Sequence, residues 1–482
     1  MKNKRKLLQW LVLSLILVLW FRAPAIAQTA KHYTDLSFPP LGEVKLPKYE
    51  RYELKNGMVV YLVEDHKLPL VSGTAMIKTG SRLEPGAKTG LGEITGTVWR
   101  SGGTKNYNPD ELNRLLEQRA ATIETAIGTN SGSASFNSLR EDLPQVFPLF
   151  AEVIQNPAFN PQQIALAQTQ QKGEIARRND DPDDIASREF RKLIYGASSP
   201  YARTVEFATL GNISRDNLIQ FHETYVRPER MILGIVGDFD SGAMKGTIEK
   251  YFGSWQPLSA ANNISIPPAQ QKFKGGLFVV DQPHLSQSTI LMGQLGGRLD
   301  SPDYPALSVL NEVLSGFGGR LFNEVRSKQG LAYSVYGVWN ASYDVPGIFI
   351  AGGQTRSDAS VPFIKSVFSE IERIRTEPIT AQELEDAKNS ILNSFVFKFE
   401  NPGQTVSRLM TYEYYGYPSD FIFRYQKAVK AVTIEDIKRV ANQYLQPQQM
   451  VTLVVGNTKE INPSLTSLEM PITNLDVTIA QQ

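Results

Sequence analysis

The sequence predicts an α+β fold of two homologous halves, each a mixed or antiparallel sheet covered by helices on one side, the halves forming a clamshell. The first observation is a repeat: ISRDNLIQFHETYVRPERMILGIVGD from Ile213 returns as VTIEDIKRVANQYLQPQQMVTLVVGN from Val432. Ser214 and Thr433, Tyr225 and Tyr444, Pro228 and Pro447, Met231 and Met450, and Gly237 and Gly456 all stand at one offset of 219. A fixed offset through a capped helix, a proline turn and a buried strand marks a duplication. Second, residues 157–174 and 378–391 carry a similar helix at an offset of 220 or 221. Third, QPLSAANNISIPPAQQK, residues 256–272, is rich in Asn, Ser, Pro and Gln, as a linker is.

The organisation that follows is a signal peptide at 1–27, an extended arm at 28–48, a first half at 49–255, the linker at 256–272, a second half at 273–459 and a tail at 460–482. The first six residues include four basic ones, Leu7 to Phe21 is almost wholly apolar, and Ala25-Ile26-Ala27 supplies a small-residue cleavage site. That apolar run is shorter than the roughly 20 residues of a spanning helix. Export to the periplasm or beyond follows, with no stable membrane span after cleavage.

Arg51 to Val63 reads as two short strands around Asn56-Gly57, and Leu70 to Lys78 as another strand. Asn108 to Ala120 has helical spacing at Leu112, Leu115 and Leu116, while residues 121–136, rich in Thr, Ser and Ala, alternate as one strand would. Helices follow at 143–155, 161–178 and 184–195; Ser214 caps another that runs to Tyr225, and Met231 to Gly237 is a buried strand. A net charge of +1 with no long charge run excludes nucleic acid as an expected partner. The absence of cysteine removes disulfides, thiol catalysis and Cys-ligated zinc together. His32, His66, His222 and His284 form no i, i+4 pair and read as surface or partly packed residues.

Two stretches carry the functional reading. TGLGEITGTVWRSGGT, from Thr89 to Thr104, holds Gly90-Leu91 and closes on Gly102-Gly103-Thr104; SGFGGRLFNEVRSKQGLAYSVYGVW runs from Ser315 to Trp339. Both resemble the pitrilysin/insulinase family of inverted-motif zinc peptidases, and the resemblance spans about Tyr49 to Lys459. It is nearest to the motif-lacking, non-catalytic subunits of bacterial processing-peptidase-like pairs. The family's His-x-x-Glu-His would fall on Glu93, Gly96 and Thr97, so both histidines and the general base are replaced. The third-ligand position is kept as Glu174, 77 residues after Thr97, and a supporting carboxylate would fall on Ala167. Zinc catalysis needs three ligands, an open position and a base. The expectation is therefore no catalytic residue and no metal in this slot. Gly90, Gly92 and Gly96 also disfavour a helix by about 1 kcal/mol each relative to Ala, which reads as a helix relaxed from catalytic duty.

The second stretch keeps the family's substrate signature: the loop glycines Gly316, Gly318 and Gly319, then Arg326, then Gly330-Leu331-Ala332-Tyr333. The resemblance implies that Arg326 grips substrate main chain and that Tyr333 donates near the scissile bond, roles that a planar guanidinium and a phenol suit. The leading reading is a non-catalytic, substrate-binding subunit of a two-chain peptidase in the cell envelope, its partners being peptides and a catalytic sister chain that holds the zinc. The alternatives are a self-contained peptidase with a non-standard metal site at Glu93, Thr97 and Glu174, and a peptide-binding or assembly subunit without any peptidase partner.

Overall fold

The computed structural model describes residues 46–258 and 264–480, so the signal peptide and most of the arm lie outside the described residues. The first half runs β1 (Glu50–Glu53), β2 (Val59–Glu64), β3 (Leu70–Ile77), α1 (Leu91–Ser101), α2 (Pro109–Glu117), β4 (Thr122–Ile127) and β5 (Gly132–Leu139). It continues α3 (Leu143–Gln155), α4 (Pro161–Arg177), α5 (Pro182–Tyr195), α6 (Phe207–Gly211), α7 (Arg215–Tyr225), β6 (Met231–Gly237) and α8 (Ser241–Phe252). The second half runs β7 (Leu277–Asp281), β8 (Gln287–Leu295), α9 (Tyr304–Ser315), a π-helical turn at Phe322–Lys328, β9 (Ala332–Asn340) and β10 (Ile348–Arg356). It continues α10 (Ser360–Thr376), α11 (Ala381–Asn393), α12 (Pro402–Tyr415), α13 (Phe421–Ala431), α14 (Ile434–Tyr444), β11 (Val451–Gly456) and β12 (Ile472–Asn474).

Each half builds one six-stranded mixed sheet, ordered β1-β2-β6-β3-β5-β4 and β12-β7-β11-β8-β10-β9. The pairings correspond strand for strand. β2 with β6 and β7 with β11 are parallel, and β6-β3-β5-β4 and β11-β8-β10-β9 are antiparallel. The outermost strands differ: β1 is antiparallel to β2, whereas β12, drawn from the 460–482 tail, is parallel to β7.

Helices of the first half cover one face of its sheet. Val60, Leu62, Ala75, Leu233 and Ile235 meet Val98 and Trp99 of α1, Phe147 and Phe150 of α3, and Phe252 of α8 in one core. Coverage is not confined to that side. Tyr61, Val63 and Ile232 alternate to the other face, where α12 of the second half lays down Val406, Leu409, Met410 and Tyr414. In return α5 of the first half places Ile185, Phe190, Leu193 and Ile194 on Phe278, Val280, Leu291, Leu453 and Val455 of the second sheet. Both central strands are therefore buried on both faces and are almost wholly apolar, Thr452 of β11 being the exception.

The expected clamshell is shut along this seam. Arg82 Nη1 lies 2.7 Å from Asp344 Oδ2, Tyr414 donates its hydroxyl to the Asn130 carbonyl at 2.6 Å, and Asp183 accepts from Thr289 and Gln354 at 3.0 and 2.7 Å. The single strand expected at 121–136 is a hairpin, β4 and β5, turning at 128–131. Glycine does not weaken α1, because Leu91, Ile94, Val98 and Trp99 are all buried. At about 1.5–3 kcal/mol for each large apolar side chain, their burial outweighs the propensity cost of two glycines within the helix.

His222 is not a surface residue: it is 6% exposed, its ring N–H donates to the Ile154 carbonyl (2.8 Å), and Trp99 and Phe159 pack against it. Burial holds its pKa down at about 4, so it is neutral in the fold. Above the unfolded value of about 6.5 it costs nothing; as pH falls from there towards 4, only the unfolded chain takes up the proton. Urea unfolding between pH 7 and 4 is expected to show a loss of about 3 kcal/mol that a His222→Gln chain lacks. Parallel curves for the two chains would refute the assignment.

Candidate functional site

The slot begins at the N-terminus of α1. Gly90 and Gly92 donate their backbone N–H groups to the buried Glu84 carboxylate at 3.0 and 2.7 Å, so a side chain from the preceding turn caps the helix. Burial pushes the Glu84 pKa up, against the pull of those two amides. From this end the helix runs between α4 and the edge strand β4. Trp99 Nε1 donates to the Val153 carbonyl at 2.7 Å, and Thr125 Oγ1 donates to the Gly96 carbonyl (2.7 Å) while accepting from Arg100 N (3.1 Å).

Gly96, in the position of the general base, faces β4 directly. A Cβ there would stand 2.3 Å from Ile127 N and 2.8 Å from the Ala126 carbonyl carbon. Neither atom belongs to a flexible side chain. The place of a catalytic carboxylate is thus filled by the backbone of the neighbouring strand.

Glu93 and Glu174 are brought together, but through an amide. Gln171, buried on the inner face of α4, donates from Nε2 to Glu93 Oε1 at 2.6 Å and to Glu174 Oε2 at 3.0 Å. Glu93 opens to water, yet the protein crowded around it pushes its pKa up, and the Glu174 charge adds to that shift while Gln171 opposes it. Thr97 is exposed, and Ala167 is buried in the core. These donors do not fit catalytic zinc: two carboxylates clipped by an amide N–H lack a third protein ligand and a base. Among the described residues no group of three His, Cys, Asp or Glu side chains converges to hold a metal.

The slot opens into a cavity of about 510 Å³. Glu84 and Glu93 line it together with Arg188, Arg191 and Arg203. The arginines are tied into the wall: Arg188 donates to the Arg178 carbonyl, Arg191 to the Tyr201 carbonyl, and Arg203 to the Ser81 and Glu84 carbonyls. Charge in the cavity is fixed in place rather than gathered on one ion.

Arg326 and Tyr333 lie elsewhere, at the free edge of the second sheet, and no contact joins them to Glu93, Thr97 or Glu174 among the described residues. Ala332 pairs with Thr355 and Ser334 with Gln354, so Tyr333 is the extra residue of a bulge. That kink re-aims the ring, which is 86% exposed. Arg326 sits in the π-helical turn, its guanidinium carbon 4.8 Å from the Phe322 ring centre and 4.9 Å from that of Tyr333. Gly318 takes φ +79°, and Gly319 N donates to the Gly316 carbonyl at 2.7 Å, which closes a tight loop whose tip presents a fully exposed Phe317. Sequence reasoning passed over Gln171 and Phe317. The first stands three residues before Glu174 on one helical face, and the second is the lone apolar residue among the loop glycines.

The two sheets and the ligand-poor helix define a peptidase-like scaffold whose metal slot is filled by its own chain. Residues 59–199 match Insulinase (Peptidase family M16), and residues 212–391 match the Peptidase M16 inactive domain. The chain belongs to the insulinase family, peptidase family M16. It is 25% identical over 363 residues to "Uncharacterized zinc protease YmxG" of Bacillus subtilis, covering 74% of this chain and 86% of that relative. It is 22% identical over 418 residues to "Non-peptidase homolog YmxG" of Helicobacter pylori, covering 82% and 91%. Among solved structures, the peptidase M16 inactive domain from Pseudomonas fluorescens superposes with a TM-score of 0.77 at 25% identity, over 86% of this chain and all of that one. The periplasmic protease PqqL from Escherichia coli shares the fold at a TM-score of 0.72 and 14% identity, over 87% of this chain and 48% of that one.

Rebuilding the motif is expected to fail. A chain carrying Glu93→His, Gly96→Glu and Thr97→His should bind no stoichiometric zinc by elemental analysis. Gly96→Ala alone should lower stability by about 1–3 kcal/mol in urea unfolding, since β4 must move. A rebuilt chain that held zinc at native stability would overturn the steric argument.

Proposed function

We propose that this chain is a non-catalytic, peptide-holding subunit of a divided zinc peptidase in the cell envelope, paired with a sister chain that carries an intact His-x-x-Glu-His site and its zinc. The observation that carries this reading is the opposite condition of the two inherited stretches. In the first, β4 backbone fills the space of the base and Gln171 clips the remaining carboxylates. In the second, Tyr333 and Phe317 are open to solvent, and the Arg326 guanidinium makes no hydrogen bond or ion pair among the described residues. A guanidinium held by stacking keeps its in-plane N–H groups available for carbonyl oxygens. Arg326 and Tyr333 would serve the sister's active centre, with Gly316, Gly318 and Gly319 shaping the path beside them.

Within one chain the seam is packed, so a clamshell that encloses substrate would form between chains. The export-type N-terminus supports the envelope as the place of action. Among the described residues no helix is long and apolar enough to cross a membrane.

The test is recovery of the tagged chain from its native envelope, followed by kinetics of what comes with it. A stoichiometric sister with the intact motif is expected. Arg326→Ala and Tyr333→Phe should each lower turnover of the mixed complex on the order of 10–100-fold, with partner zinc unchanged. Recovery of this chain alone, or unaltered turnover with both variants, would sink the reading; peptide binding without cleavage would then mark a stand-alone binder.

A further inference from the structure

The edge of the second sheet opposite β9 is closed by the chain's own C-terminal tail. Among the described residues β7 has β11 on one side and only the three residues of β12 on the other. The matching edge of the first sheet is built differently: β1 joins β2 through the turn at Asn56-Gly57 and forms with it as a local hairpin. β7 has no such neighbour in sequence. Without the tail, its outer row of N–H and C=O groups is a template for another chain.

The tail is aimed at this edge and lightly held there. Glu469 takes φ +55°, in the left-handed region, and Pro471 opens the segment that runs along β7. Main chain makes the first contacts: Leu277 N donates to the Pro471 carbonyl at 3.0 Å, and Leu475 N to the Val279 carbonyl at 2.8 Å. The side chains of Ile472, Thr473 and Asn474 are all exposed. From there alternate residues turn inward. Leu475 and Val477 are half-buried against the core that α5 shares with β7, β8 and β11, and Ile479 reaches the core of the first half, while Asp476 and Thr478 face water. Asn179 Oδ1 accepts from Arg188 Nη2 at 2.7 Å, which fixes the amide so that its Nδ2 donates to the Val477 carbonyl at 2.7 Å. No residue from 471 to 479 is fully buried.

These are the parts of strand addition: backbone hydrogen bonds take any extended chain, and shallow sites for every second side chain select among them. We propose that the β7 edge, with the groove from it to Asn179, is an acceptor site for an extended peptide with apolar residues at alternate positions, and that residues 471–479 are its exchangeable resident. A peptide of that pattern from another molecule adds in their place as a parallel strand, and the displaced tail leaves the sheet from Glu469 onward. Because the tail competes from a tether, at an effective concentration on the order of millimolar, the site is shielded in the resting chain. It lies across the sheet from Arg326 and Tyr333 and does not depend on a peptidase partner.

Hydrogen exchange of the full-length chain tests this without any substitution, the probe being the free peptide PITNLDVTI, the sequence of residues 471–479. The Leu475 amide is expected to exchange at least roughly 100-fold faster than the amides of β11. Millimolar peptide should speed it at least about 5-fold further and leave β11 unchanged. In anisotropy titrations with labelled peptide, a full-length chain carrying Leu475→Pro and Val477→Asp should bind one-to-one and at least about 10-fold tighter than the unaltered chain, its resident having lost an N–H donor and an apolar anchor. A peptide with the same two changes should bind neither chain. Leu475 exchange as slow as that of β11, or unmoved by peptide, would overturn the proposal, and that result decides alone where the altered chain does not fold. Equal affinity of the two chains, or equal binding of the altered peptide, would overturn it as well.

Discussion

The structure depends on an exchange of helices between its halves. The parallel pairs β2-β6 and β7-β11 are apolar on both faces, and each half covers only one face with its own helices. α12 and α5 close the others. Gly234 at the centre of β6 marks how tight the fit is: a Cβ there would stand 2.3 Å from Met410 Sδ of α12. Val406, Leu409, Met410 and Tyr414 each remove a large apolar surface from water, at about 1.5–3 kcal/mol apiece. The solvent-facing pair of Arg51 with Glu413 at the same seam, 40% and 30% exposed, contributes about 0–1 kcal/mol after screening. Apolar burial therefore holds the seam, and the polar pairs fix its register.

That seam explains why the first half can tolerate a closed slot. α1 is pinned at its start by the Glu84 carboxylate, along its length by the approach of Gly96 to β4, and near its end by Trp99 on the Val153 carbonyl. A helix carrying an inward carboxylate at position 96 would have to stand off from β4. With the carboxylate gone, the helix and the strand close on one another, and the interval becomes part of the core. Gln171 completes the change, since its amide protons take the place of a cation between Glu93 and Glu174.

Much of this was legible in the sequence, for identifiable reasons. β6 and β11 are almost wholly apolar because both faces are covered, and the proline turns and caps before them mark the offset between the halves. The β4-β5 hairpin was hidden because both strands lie towards one edge and use Thr, Ser, Ala and Asn with little contrast between faces, while the turn, Gly-Thr-Asn-Ser, lacks an Asn-Gly or Asp-Gly signal. The helix exchange left a trace that was readable in principle: α5 and α12 both open on proline, at Pro182 and Pro402, an offset of 220. Nothing local states which sheet such a helix covers. In the slot, the missing ligands were plain from identity, but the meaning of Gly96 needed the position of β4, and the role of Gln171 needed α4 beside α1.

The corresponding edges of the two sheets have gone opposite ways. At the first edge, β4 lies against α1 through Gly96, and its backbone closes the slot. At the second, β9 lies against α9 with Gly337 N donating to Ser315 Oγ (2.6 Å) and Trp339 N to Asn311 Oδ1 (2.7 Å), so this strand is equally well anchored on its helix side. Its outer end is another matter: the bulge throws Tyr333 into solvent, and in the π-helical turn the Arg326 guanidinium carbon lies 4.8 and 4.9 Å from the Phe322 and Tyr333 ring centres. Such cation–π contacts use none of the guanidinium's hydrogen-bonding capacity for carbonyl oxygen. Around the closed slot, by contrast, Arg188, Arg191 and Arg203 each donate to backbone carbonyls. Arg326 and the exposed Tyr333 thus stand together at the edge of β9, while the arginines of the first site are tied to backbone carbonyls.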